Sequence, residues 1–532
     1  MRNSPQFIAL CLLILPFNIS FAQNLSLVKD INTTAINNSF PHNLTVFNSK
    51  LYFVANNGVA HKLYASDGTT AGTELIGPTT GNGIVYYLTS YNSKLYFTYD
   101  DGVNGLELWV SDGTTAGTTM LRDIWAGALS ALPRYFTLCN GKLFFQASTP
   151  TRSEGLWVTD GTAAGTQMLS SVYAAPFNST GQFLVFNNKI YFQGNAGSGY
   201  GMWESDGTTA GTQLVKTGFF GASSGNYSVC NGKFYFNNGD AVNGNELWVS
   251  DGTASGTGML KDIYTGFQGS EPSNFICSNS KIYFTANDGI NGNELWISDG
   301  TAPGTQLIKD IVAGSNGSTP QNVIEFNLQV YFFASDGIAR KLYKTDGTVA
   351  GTQLVKTLPG ITSVPYIYEF GSKLYFLAST GTAESVFESD GTADGTKQIM
   401  PVVQSFNFAD VNFAGLNDVL YLPAFYETQG LEFCKLTFST TGISELFNLR
   451  GPVVIYPNPS SDIINIELQD KISRLNFDYF IYNSNGQLML NGTLNKYENK
   501  KQIHVSELKP GNYILNIHNA KHLQTFKFLK IQ

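Results

Sequence analysis

Glu294-Leu295-Trp296-Ile297-Ser298-Asp299-Gly300-Thr301-Ala302-Pro303-Gly304-Thr305 is the stretch that decides the fold. Its first five residues read as a short strand carrying a large aromatic ring. Asp-Gly-Thr then reads as a turn. An Asp side chain accepts hydrogen bonds from backbone N–H groups one or two residues on, and Gly takes φ > 0 without steric cost. The same core recurs without gaps from Lys62, Glu107, Gly155, Gly201, Glu246, Lys341 and Ser385. The turn aspartates are Asp67, Asp112, Asp160, Asp206, Asp251, Asp299, Asp346 and Asp390, at spacings of 44–48 residues. Ser or Thr precedes every one of them.

A second marker runs ahead of the first. It is a strand such as Lys50-Leu51-Tyr52-Phe53, recurring at Leu95, Leu143, Ile190, Phe234, Ile282, Val330, Leu374 and Leu420. That makes nine units; the ninth ends in Leu431-Glu432-Phe433-Cys434 and lacks the Asp-Gly-Thr turn. The sixth unit parses into strands at Ser273–Cys277, Lys281–Thr285, Glu294–Ser298 and Thr305–Lys309. Four strands of about six residues with connections of about five fill the period and match one propeller blade. The 3.6-residue apolar periodicity of a helical repeat is absent. The expectation is an all-β chain: a β-propeller of eight or nine four-stranded repeats plus a small C-terminal β-sandwich. Asn24–Ile31 resembles a fourth strand with no unit before it, suited to completing the last unit. Ile443–Leu449 offers the ninth unit a fourth strand of its own, so eight and nine both stand.

Composition agrees. Charged residues make up 14% of the 532, against about 25% in an average domain. Aromatics reach 13%, and there are 54 glycines. The net charge of −8 argues against nucleic acid and anionic membrane surfaces as partners. Cys139, Cys230, Cys277 and Cys434 follow the leader, with no metal-ligand spacing, and are expected as free, half-buried thiols.

The turn has two readings. As structure, Asp and Thr bond the local backbone, the second Gly (Gly117, Gly256) permits a bulge where the next strand restarts, and Trp or Tyr packs between neighbouring units. As a site, the eight carboxylates would form a calcium or ligand array, helped by loops such as Asp100-Asp101-Gly102 and Asn287-Asp288-Gly289. No copy has the dense Asp/Asn alternation of a dedicated calcium loop, and an element present in every unit serves the unit. The structural reading is preferred, with no cofactor expected and calcium the one candidate. These segments resemble the ELWxxDGT repeat family of secreted bacterial proteins over about residues 24–450. Lys62-Leu63-Tyr64, Lys341-Leu342-Tyr343 and Ser385-Val386-Phe387 depart from Glu-Leu-Trp but keep its size pattern. The resemblance implies an architecture and no established activity.

Both chain ends speak of export. Arg2, the apolar run Phe7–Phe17 and Ser20-Phe21-Ala22 make residues 1–22 a signal peptide, cleaved between Ala22 and Gln23. The run is too short to span a membrane, and no other stretch is suited to it. Repeats occupy 23–450. Gly451-Pro452 opens a last segment of alternating strands and Gly/Pro/Asn turns, 451–532. Its Tyr-Pro-Asn-Pro opening (Pro457, Asn458, Pro459), its Asn-Gly-Gln turn (Gly486), its Leu-x-Pro-Gly-x-Tyr strand (Pro510, Gly511) and its Lys-rich last strand closely resemble the type A C-terminal sorting domain of type IX secretion, used by Bacteroidota. The resemblance implies the type IX machinery as a partner. It also implies an extracellular or outer-membrane-surface location after Sec export.

Catalysis has little to stand on. In the repeats only His42 and His61 occur, and no Gly-x-Ser-x-Gly, His-Glu-x-x-His or phosphate loop is present. The Asp-Gly-Thr hairpin is similar to the structural Asp-box of sialidase propellers, but arginines are few: Arg122, Arg134, Arg152 and Arg340. A non-catalytic binding or adhesion scaffold for extracellular or surface glycans is expected. The alternatives are a carboxylate-based polysaccharide-active enzyme and a structural coat spacer.

Overall fold

The computed structural model describes residues 21–440 apart from 34–37, 78–82, 84, 178–180, 196, 198, 220–226, 382, 405–411 and 427–428. Beyond these it describes 453–456, 460–468, 477–483, 488–494, 500–518 and 523–530. The chain divides into two compact units, with the boundary between Ser439 and Thr440. Most of the predicted signal peptide, and the predicted strand Ile443–Leu449, lie outside the described residues.

The first unit is built from repeated antiparallel sheets, eight of four strands and one of five. The sixth repeat is representative: Ser273–Ser278, Lys281–Asn287, Asn293–Ser298 and Gln306–Lys309 pair in chain order. Two-residue turns with positive φ, as at Asn279 (49°) and Ser280 (60°), join the first and second strands. Such turns match the right-handed twist of the strands they connect. In the fourth repeat two short strands, Tyr173–Ala175 and Leu184–Phe186, both pair with Lys189–Asn195. The ninth repeat contributes Ala414–Leu416, Val419–Tyr426 and Gly430–Thr440, and its fourth strand is the N-terminal Phe21–Lys29.

The expected β-propeller is corrected by this topology. Each sheet is an open ladder, neither closed nor curled on itself. The fold is an all-β array of repeated four-stranded antiparallel sheets. A period near 44 residues sets the size of one unit. How units are placed against each other depends on contacts between them, which the period does not encode.

Those contacts are apolar. The second strand of each repeat is buried on both faces, as at Ile282–Ala286. Phe53, Phe97, Phe145, Phe192, Phe236 and Phe284 hold the same place in successive second strands and are almost fully buried. Each contributes roughly 1.5–3 kcal/mol. The clusters lie between repeats: Phe47, Tyr52 and Val54 of the first pack with Leu95, Phe97 and Trp109 of the second. Leu51 and Phe53 of the first likewise pack with Tyr421 and Phe433 of the ninth.

The cysteines depart from expectation. Cys230 and Cys277 form a disulfide with Cα atoms 5.6 Å apart. Cys230 ends the first strand of the fifth repeat and Cys277 is the last residue but one of the first strand of the sixth, and these strands lie side by side. Cys139 ends the corresponding strand of the third repeat, as Cys230 does in the fifth, but Val185 holds the place of Cys277 in the fourth. It stays free and buried, as does Cys434.

The second unit has two sheets. One orders Val453–Tyr456, Ile463–Leu468 and Lys500–His504. The other orders Leu488–Leu494, Phe477–Asn483, Gly511–His518 and Leu523–Lys530. Ile464, Ile466 and Ile503 of the first sheet share one core with Ile481, Leu515 and Phe528 of the second.

Candidate functional site

The eight predicted aspartates sit in eight near-identical turns. In the sixth repeat, Asp299 Oδ1 accepts from Thr301 N (2.9 Å) and Thr301 Oγ1 (2.7 Å). Gly300 N donates to Ser298 Oγ (3.0 Å), and Gly304 N donates to Thr301 Oγ1 (3.0 Å). Thr305 Oγ1 donates to Thr301 O (2.7 Å), and the Ser298 and Thr305 hydroxyls share a bond of 2.7 Å. Every polar residue of Ser-Asp-Gly-Thr-x-x-Gly-Thr is thus used inside the turn. The hydrogen bonds from Thr301 hold the Asp299 carboxyl below its usual range.

The second glycine does not make the expected bulge. A Cβ on Gly304 would stand 2.1 Å from Asp299 Oδ1, so the residue is Gly to admit the carboxylate. The bulge lies further on, at Ile308, where the pairing slips between Leu295↔Lys309 and Trp296↔Leu307. The first glycine is close to the preceding repeat: a Cβ on Gly300 would meet Tyr235 Oη at 2.5 Å, and one on Gly68 would meet Tyr421 Oη at 2.0 Å. A cation from the preceding fourth strand also fastens the turn. Lys261 Nζ donates to Thr305 O (2.6 Å), Lys309 Nζ to Thr352 O (3.1 Å) and an Arg122 guanidinium nitrogen to Thr166 O (2.8 Å). The turns build sheets and join them. They are not brought together into one site, and among the described residues no group of three or more His, Cys, Asp and Glu side chains is placed to hold a metal ion.

The Glu of Glu-Leu-Trp has a role that sequence reasoning missed. Glu246 is fully buried. Its Oε1 accepts from Tyr264 N (3.0 Å) and Ser270 N (2.9 Å). Its Oε2 accepts from Ile263 N (2.8 Å) and Ser270 Oγ (2.6 Å). The carboxylate therefore clamps the loop that leads into the next repeat. Glu107 holds Ile124, Trp125 and Ala131 in the same way, Glu294 holds Val312 and Ser318, and Glu432 holds Ile31 and Ser39. Burial raises all four carboxyls, Glu107 and Glu432 to about 7. An available signal was a Glu recurring inside an otherwise apolar strand.

Strand direction alternates within each sheet, so the Asp-Gly-Thr turns share one end and the second-to-third-strand loops the other. Five of those loops are built alike. Asp288 Oδ1 accepts from Ile290 N (2.9 Å) and Asn291 N (2.7 Å). Asn57, Asp101, Asp240 and Asp336 bond the equivalent amides. Each of these turns presents one β-branched residue to solvent: Val59, Val103, Val242, Ile290 and Ile338 are 69–92% exposed. Phe267, in the inter-repeat loop against Gly244, is exposed at the same end.

At the turn end, a cavity of about 480 Å³ opens between the fourth and fifth repeats. Asn187, Lys189, Tyr191, Glu204 and Gln213 form one side, and Asp251, Gly252 and Thr253 the other. Val215 and Ala254 supply apolar surface. The Glu204 side chain is 7% exposed and accepts from Lys189 Nζ (2.7 Å) and Gln213 Nε2 (2.8 Å). Burial pushes its carboxyl up, but hydrogen bonds from Lys189, Gln213 and Tyr191 outweigh that and leave it below the usual value.

In the sorting module, Tyr513 Oη donates to Lys509 O (2.8 Å), closing the Leu508–Tyr513 segment around Pro510 and Gly511. Pro457, Asn458, Pro459 and Gly486 lie outside the described residues. Ala22 and Gln23 fall in the strand Phe21–Lys29.

The fold defines an all-β repeat protein. Residues 454–532 match the secretion system C-terminal sorting domain family, so a type IX sorting domain is present. It directs the chain to the cell exterior and makes the type IX machinery its partner. Among the described residues no helix is long and apolar enough to cross a membrane. No curated protein matches the chain. Solved structures similar to it include a puromycin hydrolase (11% identity, TM-score 0.39, covering 75% of this chain and 60% of that one). Others are prolyl oligopeptidase B from Galerina marginata (12%, 0.39, 84% and 57%) and the tricorn protease (12%, 0.27, 92% and 48%). This chain spans about half to three-fifths of their lengths, and likenesses so distant assign it no activity.

Proposed function

We propose that the repeat unit is a non-catalytic binding scaffold of the cell exterior that adheres to extracellular or surface glycans through its loop-bearing end. The tandem Glu-Leu-Trp-x-x-Asp-Gly-Thr segments support grouping residues 23–450 with the ELWxxDGT repeat proteins, after a signal peptide at 1–22. The observation that carries the reading is the set of exposed Val and Ile tips on five rigid turns. Five β-branched residues at the tips of like turns make a repeated apolar display at one end of the sheets, unlike the singly scattered apolar residues of an ordinary surface. Turns fixed by Asp and Asn also lose little entropy on binding, and Asn and Asp beside an apolar tip suit the mixed faces of a sugar polymer. The test is a glycan array probed with the purified full chain and with a variant carrying Val59→Ser, Val103→Ser, Val242→Ser, Ile290→Ser and Ile338→Ser. Binding of a narrow glycan set by the parent, lost in the variant, is expected. Silence of the parent, or a variant that binds equally, overturns the reading.

A further inference from the structure

The cavity between the fourth and fifth repeats is lined at a position where the repeats differ from one another. Glu204 pairs across the sheet with Tyr191, in the place where Val110, Val158, Val249 and Ile297 pair with Tyr96, Phe144, Tyr235 and Tyr283. Those apolar residues pack against the next repeat. A carboxylate there recruits Lys189 and Gln213 instead, and the three polar groups line open space. Glu388 is the only other carboxylate at this position, and the repeat after it has lost the Asp-Gly-Thr turn. The combination of a buried carboxylate network facing an Asp-Gly-Thr wall therefore occurs once in the sequence. Ala65, Lys344, Glu388 and Lys435 hold this place in the first, seventh, eighth and ninth repeats, so the position is free to vary, and in the fourth it carries a carboxylate beside open space.

The lining identifies the class of ligand. One ammonium and two carboxylates, those of Asp251 and Glu204, leave the walls slightly negative, which disfavours phosphates and uronates. Glu204 is already bonded to Lys189 and Gln213, and Asp251 Oδ1 is committed to Thr253 N (2.9 Å) and Thr253 Oγ1 (2.7 Å). Oδ2 of Asp251 and the Asn187 amide add to the polar rim. Val215 and Ala254 form an apolar patch. Fixed donors and acceptors around an apolar patch match a ring with hydroxyl edges and a C–H face. The volume falls within the range of about 300–1,000 Å³ that holds small ligands.

We propose that this cavity is a binding site for a neutral pyranose: a free monosaccharide or the exposed terminal residue of a glycan. It lies at the turn end, opposite the Val and Ile tips, so it is separate from the adhesion reading and the two fail separately. Saturation-transfer NMR and calorimetric titration of the purified full chain with glucose, galactose, mannose, N-acetylglucosamine and glucuronate test it. At least one neutral sugar is expected to bind with a millimolar or tighter Kd, and glucuronate at least tenfold more weakly. Glu204→Val restores the residue that three other repeats carry, so it preserves the fold, and it is expected to weaken binding at least tenfold. Ala254→Asp, at an exposed position, is expected to do the same by placing a charge on the apolar patch. The five-tip variant is expected to bind as the parent does. No binding of any neutral sugar at 10 mM overturns the proposal. So does equal binding of glucuronate, or undiminished binding by both Glu204→Val and Ala254→Asp.

Discussion

Replacing Glu246 tests whether the buried glutamates join one repeat to the next. Glu246→Ala removes the acceptors of three backbone amides, those of Ile263, Tyr264 and Ser270, and of the Ser270 hydroxyl. Ile263 and Ser270 are buried, so water does not replace the lost acceptor freely. Ser270 N keeps Asn245 O as a second acceptor (2.8 Å), so the buried donors left unpaired are the Ile263 amide and the Ser270 hydroxyl; one such donor costs about 1–3 kcal/mol, and two about 2–6. Some of this is offset, because the carboxylate is itself strained by burial and by Asp262, which together raise its pKa. A net local loss of about 3 kcal/mol is the expectation. Glu246→Gln should fall between the parent and Ala. Its carbonyl can still serve Tyr264 and Ser270, but its NH2 then faces the Ile263 N–H, donor against donor. A nine-repeat array need not unfold in one step, so the readout is hydrogen exchange in the loop 263–271 and not a melting curve. A loss of about 3 kcal/mol is roughly a hundredfold faster exchange there. If exchange at Ile263 and Ser270 stays within twofold of the parent in Glu246→Ala, the clamp is not what orders the loop.

Two further outcomes are expected. The Cys230–Cys277 bridge closes a loop of 47 residues, for which the chain-entropy relation gives about 4 kcal/mol. Cys230→Ser or a reductant should therefore lower the midpoint of urea unfolding of the fifth and sixth repeats, and an unchanged midpoint would count against a formed bridge. Burial also pushes the Glu384 carboxyl up to about 7, while an unfolded Glu titrates near 4.3. Its contribution to stability is present below the unfolded value and is lost as pH rises through the folded one. Stability of the parent relative to Glu384→Gln should therefore fall between about pH 4.5 and 7, as read by urea midpoints along that range, and a constant difference would refute the assignment.

Strand limits in the sixth repeat were legible to within two residues, and so was the local use of Asp and Thr in the turn. Both depend on residues within about ten positions of each other. The N-terminal strand was legible for a related reason, since Asn24–Ile31 repeats the pattern of a fourth strand and pairs as one with Gly430–Thr440. What escaped reading involves partners in another repeat or far along the loop. Cys230 and Cys277 meet only because adjacent first strands lie side by side. Gly300 is confined from outside by Tyr235, and Gly304 from inside by Asp299, so two glycines that look alike in sequence are kept for different reasons. The Glu246 acceptors answer amides 17–24 residues away, and backbone amides carry no sequence signature.

Glu204 shows where function becomes readable in such a chain. In a tandem array the shared residues describe the scaffold, because every repeat must fold and pack alike. Asp299, Trp296 and Glu294 are therefore weak evidence for any ligand, however often their counterparts recur. Residues that break the pattern at one junction carry more information. Glu204 stands where Val110, Val158, Val249 and Ile297 pack in other repeats, and with Lys189 and Gln213 it lines a polar cavity. The Val and Ile tips are informative in the opposite way. They recur in five loops, yet the fold gains nothing from their exposure, since their amides and not their side chains are held by the turn. Recurrence with burial belongs to the scaffold, and recurrence with exposure, or polar groups around open space at a junction, is where a ligand is to be sought.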